Sequence, residues 1–229
     1  MHIDDVNIYL YIDAVNTARY RLAMPRKTIR KTYHHGNARN ALVAAALELL
    51  GPVGAAELSL RGVAERAGLS RQAPYNHFAD KEALLAELAR IGFERLESRV
   101  KAVKGYPNGV SLEQAAHAYI DFAQGSPALF RLMFSRELTD LSRYPAAMAA
   151  AHSAFGSLAA IVGTLTTPGR AEELSLAAWC LVHGYATLCN ETGLESQDRR
   201  SERARLFARV IRNDAAGQRT GDLLAARRQ

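Results

Sequence analysis

A short polar segment between residues 70 and 81 carries the side chains best suited to chemistry. Arg71 and Gln72 are adjacent, and Asn76 follows one helical turn later. An Arg guanidinium can bind guanine through two hydrogen bonds, and the amides of Gln and Asn can bind adenine in the same way. Lys81 adds an ammonium group that suits a phosphate. These residue types indicate a surface that reads double-stranded DNA.

Two short helices joined by a tight turn are predicted to position these side chains, in the segment Leu60 to Tyr75. Ser59 is the expected N-cap of the first helix, and its hydroxyl could also donate to a phosphate. Gly68 can adopt the left-handed conformation of the turn. Ser70 is the expected N-cap of a second helix that runs to about His77. Such a helix-turn-helix projects the start of its second helix into the major groove.

The positive charge of the chain is concentrated around this motif. The 229 residues contain 29 Lys and Arg and 23 Asp and Glu, a formal net charge of +6. Residues 1–23 carry a net −1, residues 24–110 a net +6 and residues 111–229 a net +1. An ordinary pair of antiparallel helices can share the turn pattern but is not usually set in so basic a block. The distribution therefore favours a DNA-contacting motif.

Helical periodicity extends through the chain, and no segment shows the sustained alternation of a strand. A first helix is predicted from the N-cap Asn37 to the stop at residues 51–54, and a long helix begins at the N-cap Asp80. After a break at residues 105–109, further helices are predicted at 111–124, 127–138, 145–166, 171–191 and 200–213. We expect an all-α fold, with an N-terminal three-helix DNA-binding domain and a C-terminal helical domain.

Three features exclude other classes of protein and favour a cytoplasmic one. Cys180 and Cys189 are too few for a disulfide framework and are interpreted as buried free thiols in a reducing compartment. Residues 144–169 lack charge over a length that could span a bilayer, but Ala, Gly, Ser and Thr dominate, so we interpret them as a buried helix. Residues 1–23 lack the pattern of a secretory signal.

The motif resembles the TetR family of one-component transcriptional regulators. The resemblance covers about fifty residues and includes Tyr33-His34-His35-Gly36-Asn37, Leu69-Ser70 and Tyr75-Asn76-His77-Phe78-Ala79-Asp80-Lys81-Glu82-Ala83-Leu84-Leu85. A shorter run, Trp179-Cys180-Leu181-Val182-His183-Gly184, resembles the Trp…His-Gly motif of one TetR subgroup's ligand domain. The resemblance implies a regulator whose C-terminal helical domain binds a small-molecule effector and dimerises.

The resemblance also implies that Tyr75 and His77 contact the DNA backbone. The full expected DNA-binding set is Ser59, Ser70, Arg71, Gln72, Tyr75, Asn76, His77 and Lys81. The alternatives are a core aromatic ring with a hydrated hydroxyl for Tyr75, and a capping or packing role for His77. Pro74 stands where many such motifs have a branched core residue, but in the first turn of a helix its missing N–H costs little. The basic arm at 26–31 could reach a groove or only supply charge.

The expected organisation has five parts. These are an extension or mis-assigned start at 1–23, the DNA-binding domain at 24–80, a connecting helix at 81–104, the ligand-binding and dimerisation domain at 110–214 and a flexible tail at 215–229. The predicted helix 171–191 is apolar most of the way round, so it must be buried on two sides. The resemblance implies a homodimer formed through this helix and helix 200–213, with two recognition helices that address a palindromic operator.

An effector pocket is implied inside the helices from about 111 to 191. Its candidate lining residues are Tyr119, Phe122, Phe130, Phe134, Met148, Phe155, Trp179, His183 and Tyr185. For each of them, an ordinary core position is the alternative. His117, His152 and His183, with Cys180, show no ordered tetrahedral spacing, so neither a metal nor another cofactor is expected.

Two other classes of function compete with a repressor that an effector releases from its operator. An enzyme is disfavoured because the chain has no Gly-rich phosphate loop, nucleophile elbow, paired-Cys motif or carboxylate–His helix motif. The second alternative is a TetR-like protein that binds a ligand or partner without reading DNA. The intact set of Tyr75, His77 and Lys81 argues against it.

Overall fold

The computed structural model describes residues 38–108, 112–194 and 199–226, with side chains described as far as residue 217. In these ranges the chain forms eight α-helices, two 3₁₀ helices and no strand, which confirms the predicted all-α fold. The elements are α1 (Ala38–Val53), α2 (Leu60–Ala67), the 3₁₀ helix η1 (Ala73–Asn76), α3 (Lys81–Lys101), α4 (Leu112–Gly125), α5 (Pro127–Phe134), the 3₁₀ helix η2 (Leu141–Arg143), α6 (Pro145–Gly163), α7 (Pro168–Thr192) and α8 (Arg200–Ala226). The expected cap Asn37, the arm at 26–31 and the extension at 1–23 lie outside the described residues.

Two helix ends differ from the prediction by four residues or more, and the others lie within three residues of it. Helix α5 ends at Phe134 rather than near 138, because Ser135 is extended (φ −95°, ψ 106°) and the chain turns there. Helix α8 continues to Ala226, past the expected end at 213. Eight of the twelve residues at 215–226 are good helix formers, namely four Ala, two Leu, an Arg and a Gln. The segment can therefore be helical although it is predicted as a flexible tail.

The described residues form two compact units that do not follow chain order. The headpiece unit combines residues 38–93 with residues 126–150, and the C-terminal unit combines residues 94–125 with the chain from 151 onward. The division falls inside α3 and inside α6. Segment 126–150 therefore packs with the N-terminal helices, whereas the sequence grouped it with the C-terminal domain.

In the headpiece unit, α1 packs against α2 and α5, and α2 packs against η1. Leucine is the commonest residue type in the core, and Leu42, Leu84 and Leu88 are fully buried. Helix α3 approaches α5 closely at Gly92, where an added Cβ would lie 2.5 Å from the sulfur of the buried Met133. Only a glycine permits this approach without displacing Met133.

In the C-terminal unit, α4, α7 and α8 pack against one another in all three pairs. The core includes Ile120 and Phe122 of α4 and Val182 and Ala186 of α7. Ion pairs join α4 to α8, with Arg200 Nη1 2.5 Å from Asp121 Oδ1. The long apolar surface that the sequence predicts for 171–191 is thus at least partly buried within its own unit.

Among the described residues, α6 is the one helix whose length and composition would allow it to cross a membrane, with a mean hydropathy of 1.4. This is weak evidence, because core helices meet the same criterion. The exposed positions of α6 carry Pro, Ala, His, Ser and Gly rather than large apolar side chains. Both cysteines are free thiols, but the prediction that they are buried is wrong: Cys180 is exposed and Cys189 is half-buried.

Candidate functional site

The turn of the predicted helix-turn-helix is formed as expected. The Ser59 hydroxyl accepts a hydrogen bond from the Gly62 backbone N–H (3.1 Å) and caps α2, which confirms the predicted N-cap. Gly68 ends α2 in the left-handed region (φ 69°), where a side chain would be strained. The N–H of Leu69 then returns to the Ala64 carbonyl (2.9 Å), which closes the turn.

The second helix of the motif is shorter and tighter than predicted, and Ser70 does not cap it. The 3₁₀ helix η1 covers only Ala73–Asn76, and Gln72 occupies its N-cap position without a side-chain cap. Pro74 has no N–H to bond back toward residue 70. The Ser70 carbonyl instead accepts from the N–H of Ala73 (3.0 Å), the i→i+3 pattern of a 3₁₀ helix. Pro74 itself is buried, as the core residue of this element.

This arrangement leaves the predicted base-reading side chains on the surface. Arg71 and Gln72 lie in the turn before η1, Asn76 ends it, and all three are exposed. Tyr75 is 54% exposed, which contradicts the alternative of a core ring. His77 is also exposed; its backbone N–H donates to the Pro74 carbonyl (2.9 Å), so residue 77 does close η1 through its main chain. Ser59 and Ser70 are exposed as well.

Lys81, the predicted phosphate contact, begins α3 and is half-buried. Its ammonium group donates to the Ala56 carbonyl (2.5 Å) in the loop before α2. Since an ammonium has three N–H donors, this bond does not exhaust its capacity toward a phosphate. The preceding Asp80 caps α3, because its Oδ1 accepts from the Ala83 N–H (2.7 Å), as the sequence predicts.

An ion pair behind the motif ties α1 to α3. Glu87 of α3 lies 2.9 Å from the Arg39 guanidinium of α1 and also pairs with Arg90. Hydrogen bonds from Arg90 and Arg39 outweigh the effect of burial and lower the pKa of Glu87 to about 2. The Arg39 guanidinium also lies over the ring of the buried Phe78, 5.4 Å from its centre. Phe78, which directly follows His77, is thereby held in contact with α1.

Four of the nine pocket candidates come together inside the C-terminal unit. The indole N–H of Trp179 donates to the Tyr119 hydroxyl (3.2 Å), which lies 2.8 Å from Nδ1 of His183. The ring of Phe155 packs edge-on against Trp179, with their centres 5.6 Å apart. Burial raises the pKa of Tyr119 and lowers that of His183 to about 4, so both groups are neutral near pH 7.

The other five candidates lie elsewhere. Phe130 and Phe134 belong to the headpiece unit, where Phe134 packs edge-on against Phe93 (5.4 Å), and Met148 is in the same unit. In the C-terminal unit, the ring of Phe122 lies under the Arg99 guanidinium, and Tyr185 packs against Phe207 of α8. Within the described ranges, no three His, Cys, Asp or Glu side chains are close enough to hold a metal ion.

Glu82, in the first turn of α3, is not among the residues that the sequence marks as functional. Its carboxylate accepts from the Asp140 backbone N–H (3.1 Å) and from the Arg143 guanidinium (2.8 Å). Both partners lie about sixty residues away in sequence, and one is a main-chain group. Side-chain spacing therefore carries no signal of this contact.

Comparison with protein families finds two matching models. Residues 42–88 match the model described as bacterial regulatory proteins, tetR family, and residues 112–213 match a tetracyclin repressor-like C-terminal domain. The first contains the helix-turn-helix, and the second contains Tyr119, Phe155, Trp179 and His183. No curated protein matches the chain.

Solved structures share this architecture. A protein of unknown function from Rhodococcus sp. RHA1 is 28% identical, with a TM-score of 0.67, over 81% of this chain and 98% of the other. The TetR family transcriptional regulator PfmR from Thermus thermophilus is 19% identical (TM-score 0.56; 75% and 97% covered). The multidrug binding protein EbrR, complexed with imidazole, is 21% identical (TM-score 0.55; 74% and 93% covered). With both of its domains matched and this fold shared, the chain belongs to the TetR family of DNA-binding transcriptional regulators.

Proposed function

We propose that the protein is a repressor that reads a palindromic operator as a homodimer and leaves it when a small-molecule effector binds. The observation that carries the DNA-reading part is the exposed set Arg71, Gln72, Tyr75, Asn76 and His77 around η1. Hydrogen-bonding side chains able to reach base edges are held here on a short element anchored by the buried Pro74 and Phe78.

Fluorescence anisotropy with duplex DNA from the region flanking the protein's own gene tests this part. We expect sequence-selective binding that weakens steeply with salt, because phosphate contacts release counterions. Variants of the motif that lose one positive charge, Arg71→Ala and Lys81→Ala, should be compared with Arg131→Ala. This control removes the same charge at an exposed position of α5 outside the motif. The absence of selective binding to every such fragment would favour the alternative, a TetR-like protein that acts on a ligand or partner without DNA readout.

We propose the cluster of Tyr119, Phe155, Trp179 and His183 as the site that senses the effector. Aromatic rings with a few polar groups among them are typical of small-molecule sites, and the structural neighbour EbrR is a multidrug binding protein. A thermal-shift screen of small hydrophobic and aromatic compounds should find ligands that raise the melting temperature. Such a ligand should also change the fluorescence of Trp179 and lower operator affinity by population shift.

The proposed homodimer rests on exposed apolar residues of α7 and α8. Leu188 is 43% exposed and Val210 is 46% exposed, each on a helix of the C-terminal unit. Covering such side chains with a second subunit would remove apolar surface from water. Light scattering should show a dimer that Leu188→Asp or Val210→Asp converts to a monomer. Val53→Asp, at a comparably exposed apolar position of the headpiece, should leave the dimer intact.

The sign of regulation and the cellular location complete the proposal. A cytoplasmic repressor that does not catalyse a reaction would lower expression of neighbouring genes until its effector accumulates. A transcriptional reporter fused to the flanking promoter should become more active when the gene is deleted. Lower reporter activity in the deletion strain would identify an activator instead.

A further inference from the structure

The first turn of α3 is a junction between two loops of the headpiece unit. Lys81 reaches back to the Ala56 carbonyl in the loop before α2. The next residue, Glu82, accepts from Asp140 and Arg143 in the loop after α5. Two consecutive side chains thus fix the start of α3 to segments far apart in the sequence.

The loop after α5 is itself ordered around Asp140. The Asp140 carboxylate accepts from the Ser142 N–H (3.2 Å) and the Ser142 hydroxyl (2.7 Å), while its own N–H donates to Glu82. Leu141 is fully buried and Thr139 nearly so. The contact with Glu82 therefore joins α3 to a structured loop rather than to a loose one.

This loop lies beside Lys81. A cleft of about 570 Å³ is lined by Ala56, Lys81, Glu82 and Leu85 on one side and by residues 136–140 on the other. At the opposite end of the same segment, Met133 packs against Gly92. The segment from α5 to η2 is consequently held to α3 at two points, one apolar and one polar.

We propose that Glu82 is a positioning residue for DNA binding, which holds loop 136–143 against the first turn of α3 and so places the Lys81 ammonium for phosphate contact. The inference rests on the proposed function. A lysine side chain loses much rotational freedom when it is ordered on a ligand, and a wall that orders it beforehand reduces that loss. Glu82 acts through Lys81 and does not itself meet the DNA.

The direction of the effect separates this role from simple electrostatics. Removing a carboxylate near a DNA surface should strengthen binding, since it raises the net positive charge. Glu82→Ala should instead weaken operator binding about tenfold, in keeping with the loss of hydrogen bonds to a charged group. Glu82→Gln, which retains one acceptor, should fall between. Glu137→Ala, an equal loss of charge in the same loop at an exposed position, should bind as tightly as the parent or slightly more tightly.

Two further measurements test whether Glu82 acts through Lys81. In a double-mutant cycle, Glu82→Ala should have little effect on DNA affinity once Lys81 is replaced by Ala. Hydrogen exchange of the full-length protein should rise in residues 136–143 for Glu82→Ala and not for Glu137→Ala. Additive losses in the cycle, or equal affinity and exchange in the two alanine variants, would overturn the proposal. If the parent binds no DNA, the proposed function and the positioning role both fail, and the exchange measurement alone then reports on the contact.

Discussion

The two compact units place their polar chemistry in opposite environments. In the headpiece unit, the hydrogen-bonding groups of interest, such as those of Arg71, Gln72 and Asn76, are exposed. In the C-terminal unit, the indole of Trp179, the phenol of Tyr119 and the imidazole of His183 bond to one another in the interior. One unit presents charge to solvent, and the other encloses neutral polar groups.

This difference suits the two kinds of partner that we propose for the chain. A polyanion is bound best by exposed cationic groups and hydrogen-bond donors, because it remains hydrated and contacts only the protein surface. A small apolar molecule is bound best in an interior site whose polar groups already have hydrogen-bond partners. Unpaired polar groups in such a site would cost free energy when they lose their contact with water. The pKa values of one group in each unit show the same contrast. Arginine partners lower the pKa of Glu87 in the headpiece unit and keep it ionised, whereas burial lowers the pKa of His183 in the C-terminal unit and keeps it neutral.

The largest expected effect is an acid-induced weakening of the C-terminal unit. Burial lowers the pKa of His183 from 6.5 to about 4, so between these values the unfolded chain binds a proton that the folded chain does not. Stability should fall as the pH drops below about 6.5, by about 3 kcal/mol in total near pH 4. Denaturant titrations monitored through Trp179, the single tryptophan, would measure this loss.

Two comparisons sharpen that measurement. His183→Gln should reduce the dependence of the free energy of unfolding on pH, whereas His152→Gln, at an exposed position of α6, should not. The pKa of Glu87 lies below its ordinary 4.5, so its contribution to headpiece stability should persist until the pH falls below about 4.5. Equal weakening of both units between pH 6.5 and 4.5 would break the contrast between them.

Replacing Arg71 by Ala should reduce base discrimination by about 1–3 kcal/mol at one position of each half-site, because a bidentate contact to guanine is lost. Competition among operator duplexes that differ by single base pairs would locate the position. Uniform weakening across all of these duplexes would instead assign Arg71 to the phosphate backbone.

Substitutions at two helical glycines test whether α5 belongs to the headpiece core. Gly92→Ala should destabilise the protein by about 1–2 kcal/mol, because the new methyl group would displace Met133. Gly156→Ala, in the middle of α6, meets no atom of another element within 4 Å and should stabilise α6 by up to about 1 kcal/mol. Urea titrations followed by circular dichroism measure both changes, and a stabilising Gly92→Ala would mean that α5 packs loosely on α3.

The least sequence-selective effect is expected for Lys81→Ala. Binding to all DNA sequences should weaken alike, and the slope of log affinity against log salt should fall by about 1, as for the loss of one phosphate contact. A loss confined to particular base sequences would contradict the backbone role of Lys81.

Local chemistry explains what the sequence predicts well. Ser59, Gly68 and Asp80 act on backbone groups within a few residues, so their roles follow from residue type and spacing. The 3₁₀ geometry of η1 departs from the prediction because Ser70 has the residue type of a helix cap, whereas Pro74 lacks the N–H that an α-helical turn would use. The absence of one backbone N–H, that of Pro74, is what distinguishes this element from the predicted helix.

Long-range contacts explain the remainder. No feature of residues 126–150 indicates that they pack with helices almost a hundred residues earlier, and the Glu82 contact depends on that packing. In the same way, Tyr119 and Trp179 were separate candidates sixty residues apart, and only the folded chain shows their hydrogen bond. The partners in both cases are chosen by tertiary structure.

The shortness of η1 has a consequence for the operator. Four residues of a 3₁₀ helix advance about 8 Å along its axis, and successive base pairs are about 3.4 Å apart. The element that carries Tyr75 and Asn76 thus spans about two base-pair steps, and Arg71 and Gln72 extend it slightly. We expect each half-site to have a short information-rich core of about four base pairs, flanked by positions that matter through DNA shape.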